Sequence, residues 1–258
     1  MSLHSQLGKL RASALTALYR RPVGLGSLGP IVTFTFDDFP QTALYTGGAI
    51  LSRYGARGTY YVALGLMGKG SPSGPVCVHE DLAVLLKQHH ELGCHTYAHC
   101  HSWDTATADF ERSIIDNREA LKAMFPGERF KSLSYPISEP RPSTKRDAAR
   151  HFLCMRAGGQ TLNAGVTDLN QLSSYFLEQS GGRMEPVRSL IDRNREQKGW
   201  LIFSTHDVCE NPSRFGCTPE FLEQVVEYVV QSGARILPVG EALESLMLAQ
   251  PRASKPAA

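Results

Sequence analysis

The sequence predicts a parallel α/β barrel in one domain, on three observations. Apolar strand-like segments alternate with amphipathic helical segments for about seven rounds. No internal repeat or linker breaks that alternation. The 258 residues suit one closed barrel, and seven or eight strand–helix units favour closure over an open sheet.

Residues 31–39, IVTFTFDDF, supply the first strand: a β-branched and aromatic run suited to a surface packed on both faces. It ends in two carboxylates, Asp37 and Asp38, which belong at a rim, paired or holding a metal, because unpaired charges do not enter a core. Apolar spacing over 41–54 predicts a helix closed by Gly55. Residues 58–64 read as the second strand, 79–92 as a helix, and 93–97 as a third strand running into His95 and His99. A long amphipathic helix follows at 105–125, then a short strand at 132–135, a helix at 143–151 and a strand at 152–155. The stretch 158–168 reads as loop and 182–198 as helix. WLIFST at 200–205 is a strand ending in His206 and Asp207. Thr218 and Pro219 start a helix over 221–230, since threonine caps and proline fits the first helical position. A last strand at 235–239 precedes a helix at 241–248.

Composition is that of a globular protein, with 42% hydrophobic and 20% charged residues. A formal charge of +2 gives no argument for nucleic acid, and no apolar run is long enough to span a bilayer. Residues 1–30 read as an extension carrying a short amphipathic helix from about Leu3 to Tyr19, without a secretory signal. The barrel is expected over 31–249 and a disordered tail over 250–258. Six scattered cysteines with no export signal are expected to be reduced thiols in the cytoplasm.

Three rim positions carry chemistry: Asp37–Asp38, His95/His99 and His206–Asp207. Two histidines four apart lie on one face of a helical turn, and with a carboxylate they make a three-ligand open metal site. A closed zinc site of Cys94, His95, His99 and Cys100 competes, but leaves Asp38 without a task. His101 reads as a solvated neighbour, and His89 and His90 as residues of a charged helix face. Adjacent strand residues point to opposite faces, so the strand must end or bulge at Asp37–Asp38 for both to reach one centre.

TFDD at 35–38 with HTYAH at 95–99 resembles the first two motifs of the polysaccharide deacetylase family, the NodB-homology or carbohydrate esterase 4 type. STHD at 204–207 is similar to its last motif. The resemblance implies a distorted (β/α)7 barrel binding one divalent ion, usually zinc, with cobalt, nickel, iron or manganese as alternatives. Asp38, His95 and His99 would be its ligands. Asp37 would be the general base towards a metal-activated water and His206 the general acid, with the ion and a third-motif backbone N–H stabilising the oxyanion. The implied partner is an N-acetylated glycan, oligosaccharide or glycan precursor. The expected sugar-binding set is Tyr135, Pro136, Ile137, Trp103 and Asp168, the last as the fourth-motif acid.

Two positions depart from the family pattern. Ser134 stands where an arginine is expected to tune the base; Arg141 or Arg156 could take its place, or Asp37 could be oriented otherwise. Ser204 stands where a leucine shapes the acetyl pocket. These departures keep two other readings open: a hydrolase of cyclic amides such as allantoin, and a metal- or saccharide-binding module without turnover.

Overall fold

A computed structural model describes residues 17–26, 29–137 and 139–249. Seven parallel strands form the barrel: β1 (Ile31–Phe36), β2 (Thr59–Val62), β3 (Glu91–Cys94), β4 (Ser132–Ser134), β5 (Cys154–Gly159), β6 (Leu172–Phe176) and β7 (Trp200–Thr205). They pair in chain order, and β7 closes on β1 in unbroken register from Trp200↔Ile31 to Thr205↔Phe36. A short β8 (Arg235–Ile236) pairs with the lower half of β1, while β2 pairs only with Thr35 and Phe36 above it. The distorted (β/α)7 barrel is therefore present.

Alternation along β1 sorts its side chains into two cores. Val32, Phe34 and Phe36 face outward and pack with Leu44, Leu51, Leu82, Leu222 and Val226 of the helical layer. Ile31 faces inward with Trp200, Ile202, Cys154 and Leu172, and Val239, Ala242, Leu243 and Leu246 join this inner cluster. Burying each side chain of this size is worth ~1.5–3 kcal/mol, so the lower barrel is a packed floor. Across it, Trp200 Nε1 donates to Thr33 Oγ1 at 2.8 Å, satisfying the indole in an apolar layer. Above this floor the lumen turns polar.

The helices are α1 (Ala49–Arg53), α2 (His79–Lys87), α3 (Thr107–Met124), α4 (Pro142–Ala148), α5 (Met184–Gln197), α6 (Pro219–Gln231) and α7 (Val239–Ala249). On α6, Phe221, Leu222, Val225, Val226 and Val229 are buried, and Thr218 Oγ1 caps it by accepting from Phe221 N at 3.3 Å.

Several elements differ from the sequence reading. The helix expected over 41–54 opens as a wide π turn, Ala43–Gly48, before α1. Its glycines allow close packing: a Cβ on Gly47 would meet the Phe36 ring at 2.9 Å, and one on Gly48 the Tyr60 hydroxyl at 2.8 Å. The helix expected over 79–92 stops at Lys87; His89, at φ +60, turns the chain into β3. His90 is therefore buried, not solvated, and its Nδ1 accepts from Gly58 N at 3.0 Å. Within 158–168, expected to be loop, Val166–Asp168 is a strand pairing antiparallel with Pro22–Gly24, which fastens the N-terminal segment to the barrel. β6 was not expected at all. Most of the helix expected over 3–19 and the tail over 250–258 lie outside the described residues. Among the described residues no helix is long and apolar enough to cross a membrane. All six cysteines are unpaired.

Candidate metal centre

The carboxyl ends of β1, β3 and β7 bring the acidic and histidine motifs to one rim. β1 ends where Asp38 and Phe39 adopt left-handed backbone, φ +60 and +48, the break needed to place both carboxylates on one centre. Asp37 keeps the inward direction of Thr35, and Asp38 swings over the rim.

His95 and His99 do not lie on a helical turn, contrary to the expectation from their spacing. β3 stops at Cys94, and left-handed Thr96 and His99 fold 95–99 into a bent loop. Thr96 Oγ1 accepts from Cys100 N at 2.9 Å, and Ser113 Oγ accepts from Tyr97 N at 2.9 Å and Ala98 N at 3.1 Å. The fold sets the two rings edge to face, with centroids 4.9 Å apart.

Asp38 Oδ1 lies 3.1 Å from His99 Nε2 and 3.5 Å from His95 Nε2. One ligand atom from each of the three residues falls within 4.8 Å of the others. Asp38 Oδ1 is buried without a hydrogen bond of ordinary geometry, an orphan that a cation would satisfy. His95 Nδ1 lies 2.9 Å from Ser134 O, a contact that, with Nδ1 protonated, points the Nε2 lone pair at the cluster. Burial pushes the His95 imidazole down to about 4, which keeps it neutral as a ligand must be. Burial would lower His99 too, but the adjacent Asp38 outweighs it and the imidazole is raised. The donor set, one carboxylate and two imidazoles, fits a divalent ion at an open site.

Cys94 takes no part. Its thiol accepts from Asn117 Nδ2 at 3.3 Å on the outer side of β3, and burial pushes it up to about 12. The Cys–His–His–Cys alternative fails because Cys94 packs into the outer core against Asn117 while His95 turns to the rim.

Behind the cluster, Asp37 is buried, at 5% exposure, in the polar upper layer of the lumen. Arg156 on β5 donates from Nη2 to Asp37 Oδ1, and the same nitrogen lies 2.8 Å from Ser134 Oγ. Arg156 Nη1 donates to Ser174 Oγ at 3.0 Å, and Ser174 Oγ donates to Ala157 O at 2.7 Å. Ser204 Oγ donates to Asp37 Oδ2 at 3.1 Å. Burial alone would raise Asp37, but Arg156, with His95 and His206, holds its carboxyl well below the usual carboxylate range. Arg141 is not involved: its guanidinium bonds Thr105 O and Thr107 Oγ1.

His206 stands across the cluster, Nε2 4.0 Å from Asp38 Oδ2, with Nδ1 3.2 Å from Phe215 O. Asp207 is buried and accepts from Ser213 N and Oγ at 2.7 and 2.6 Å, so it shapes the loop after β7. Glu178, just beyond β6, is pushed up to about 7, first by burial and then by the nearby Asp37.

The sugar-binding set divides. Trp103 and Ile137 are exposed, at 47% and 68%, and Trp103 Nε1 donates to Glu139 O at 2.8 Å. Tyr135 is buried and donates to Asn170 O at 3.2 Å, so its ring is closed to a ligand; Pro136 is buried beside it. Tyr135 N donates to Arg156 O at 3.0 Å, so that N–H is committed to the β4–β5 pairing. Asp168 is engaged elsewhere, 2.6 Å from the buried Lys145 Nζ and accepting from Arg21 N at 2.8 Å. Ser174 escapes motif reading, its signal being an inward register on β6, whereas Arg156 is one of the two arginines weighed for the place of Ser134.

Residues 27–153 match the family model described as polysaccharide deacetylase. No curated protein matches the sequence. Among solved structures, the chain is similar to a family 4 acetyl xylan esterase from Clostridium thermocellum in complex with a cobalt ion. That likeness has TM-score 0.59 and 19% identity, over 88% of this chain and 100% of that one. The Xyl-CE4 domain of a multidomain xylanase from the hindgut metagenome of Trinervitermes trinervoides gives TM-score 0.59 and 16% identity, over 84% and 90%. The peptidoglycan deacetylase PdaC from Bacillus subtilis gives 0.57 and 14%, over 85% and 93%.

Proposed function

Because the barrel is a NodB-homology domain of the polysaccharide deacetylase family, we propose that it hydrolyses the N-acetyl groups of an amino-sugar-containing glycan or glycan precursor with the help of one divalent ion. The observation that carries this reading is the adjacency of the Asp38–His95–His99 cluster to an Asp37 already clamped by Arg156.

Asp38, His95 and His99 would hold the ion, zinc or cobalt being suited to this donor set. When bound, such an ion polarises an amide carbonyl and makes water a better nucleophile at neutral pH. Asp37 takes the proton from the attacking water. Arg156 and Ser204 each occupy one of its oxygens and leave a lone pair on each, so the carboxylate is oriented yet still able to accept. His206, on the opposite side, delivers a proton from Nε2 to the departing amine, its ring held by the Phe215 carbonyl at Nδ1. Trp103, exposed on the loop beyond His99, offers a face for a sugar ring.

Arg156 removes the reason for a reading without turnover, since the base has its guanidinium. The cobalt complex of the Clostridium esterase supports metal use. A panel of N-acetylated chitooligosaccharides and peptidoglycan fragments against cyclic amides tests the reading, with metal content measured on the same protein. Acetate release with about one ion per chain is expected; ring opening of the cyclic amides alone would overturn it.

A further inference from the structure

At the pole opposite the metal cluster, a cavity of about 440 Å³ opens beside the starts of β4 and β5. Its walls carry Arg21, Arg118, Arg129, Lys131, Arg150 and His151, and no carboxylate of the described residues lines it. A chain whose formal charge is only +2 thus gathers five fixed cations around one concavity.

The carboxylates nearby pair with only two of them. Lys131 pairs with Glu244 at 2.7 Å, and Arg150 with Asp147 at 3.0 Å and Glu111 at 3.9 Å. His151 spends Nε2 on Glu111 at 2.8 Å, and its Nδ1 lies 3.1 Å from Arg118 Nη1. Arg21 Nη2 donates to the carbonyls of Phe152 and Leu153 at 3.2 and 2.6 Å. Three guanidinium groups, Arg21, Arg118 and Arg129, therefore face the cavity without an acidic partner among the described residues. Arg129 makes no side-chain bond to any of them. Holding like charges together in a concavity costs Coulomb energy, which a bound anion relieves. The planar forks of arginine match tetrahedral oxyanions, and such pairs are stronger than those of ammonium groups.

We propose that this cavity binds a phosphoryl group, in the size range of a diphosphate, through Arg118 and Arg129, with Arg21 beside them. The seat is independent of the metal centre, because its walls precede β4 and β5 whereas the cluster follows β1, β3 and β7. A soluble phosphate ester and a lipid phosphate headgroup present the same chemistry to these guanidinium groups.

Calorimetric titration of the full chain with inorganic pyrophosphate tests the proposal. Saturable binding near one per chain is expected. It should weaken at least tenfold in an Arg118→Gln/Arg129→Gln double variant, whose side chains are exposed enough to leave the melting temperature unchanged. Binding must persist in His99→Asn, because its loss there would move the anion to the metal centre and overturn the proposal. Equal affinity for citrate, equal affinity of the double variant, or no saturable heat would each overturn it as well. In the absence of pyrophosphate, co-sedimentation with phosphatidic acid vesicles but not phosphatidylcholine vesicles, reversed by added pyrophosphate, assigns the lipid source. Absence of co-sedimentation assigns the soluble ester.

Discussion

Arg156 on β5 reaches across the lumen to Asp37 at the end of β1, and the same Nη2 lies against Ser134, 2.8 Å from its Oγ. A guanidinium that the family pattern would place on β4 is delivered from β5 instead, and the serine on β4 makes room for it. Ser174 and Ser204 complete the ring, one holding Arg156 and one holding Asp37. Three short hydroxyl side chains on three strands thus let one arginine lie flat in a closed layer.

Arg156→Lys is expected to lower kcat about 100-fold or more with little change in KM, because an ammonium cannot bond Asp37, Ser134 and Ser174 together. Arg156→Met leaves Asp37 buried without its cation and should cost about 3–5 kcal/mol of stability. Returning the guanidinium to β4 in Ser134→Arg/Arg156→Ser should recover part of the activity lost in Arg156→Ser. Equal activity of single and double variants would show that the guanidinium's position does not set the base.

Much of this site was legible before the fold. The TFDD, HTYAH and STHD motifs marked five residues, Asp37, Asp38, His95, His99 and His206, that the barrel brings to one rim, because strand ends in a parallel barrel converge wherever the intervening chain runs. The geometry of 95–99 was not legible: spacing of four suits a helical turn, but Ser113 and Thr96 bonds fold the segment through two left-handed residues. β6 was hidden for a related reason. LSSYF turns Ser174 towards Arg156, so only Leu172 marks its inner face as apolar. Polar lumen positions erase the signal where the site is built.

Asp37 and His99 are expected to separate chemistry from metal holding. Asp37→Asn should keep about one ion per chain and lose 10²–10⁴-fold in kcat, since only the proton acceptor is gone. His99→Ala should lose the ion on dialysis and remain folded, since the ring is partly exposed and the barrel closes without it. Metal analysis beside circular dichroism checks both. Unfolding of His99→Ala would mark a structural site.

His90 makes stability depend on pH in a definite direction. It is 4% exposed, its Nδ1 accepts from Gly58 N, and burial, with Arg57 nearby, pushes the imidazole down to about 4. Below its ordinary value near 6.5 the unfolded chain takes up a proton that the folded chain refuses. The contribution is therefore complete above pH 6.5 and is lost as pH falls towards 4, by up to about 3 kcal/mol. His90→Asn keeps an acceptor for Gly58 and cannot titrate. Denaturant melts from pH 7 to 4 should show a shallower decline for the variant than for the parent.

Lys145 and Asp168 form an ion pair at 2.6 Å whose side chains are 1% and 10% exposed. Asp168 Oδ1 also accepts from Arg21 N and Asn170 N, so the pair sits where the N-terminal strand Pro22–Gly24 docks on Val166–Asp168. Lys145→Met strands a buried carboxylate and should cost about 3–5 kcal/mol, whereas Lys145→Met/Asp168→Asn should cost less than the single change. Asp168→Asn should leave metal content unchanged, because its carboxylate is committed to Lys145 and Arg21. Urea melts of the four proteins give the coupling energy; additive losses would mean that Lys145 and Asp168 are held by their other neighbours.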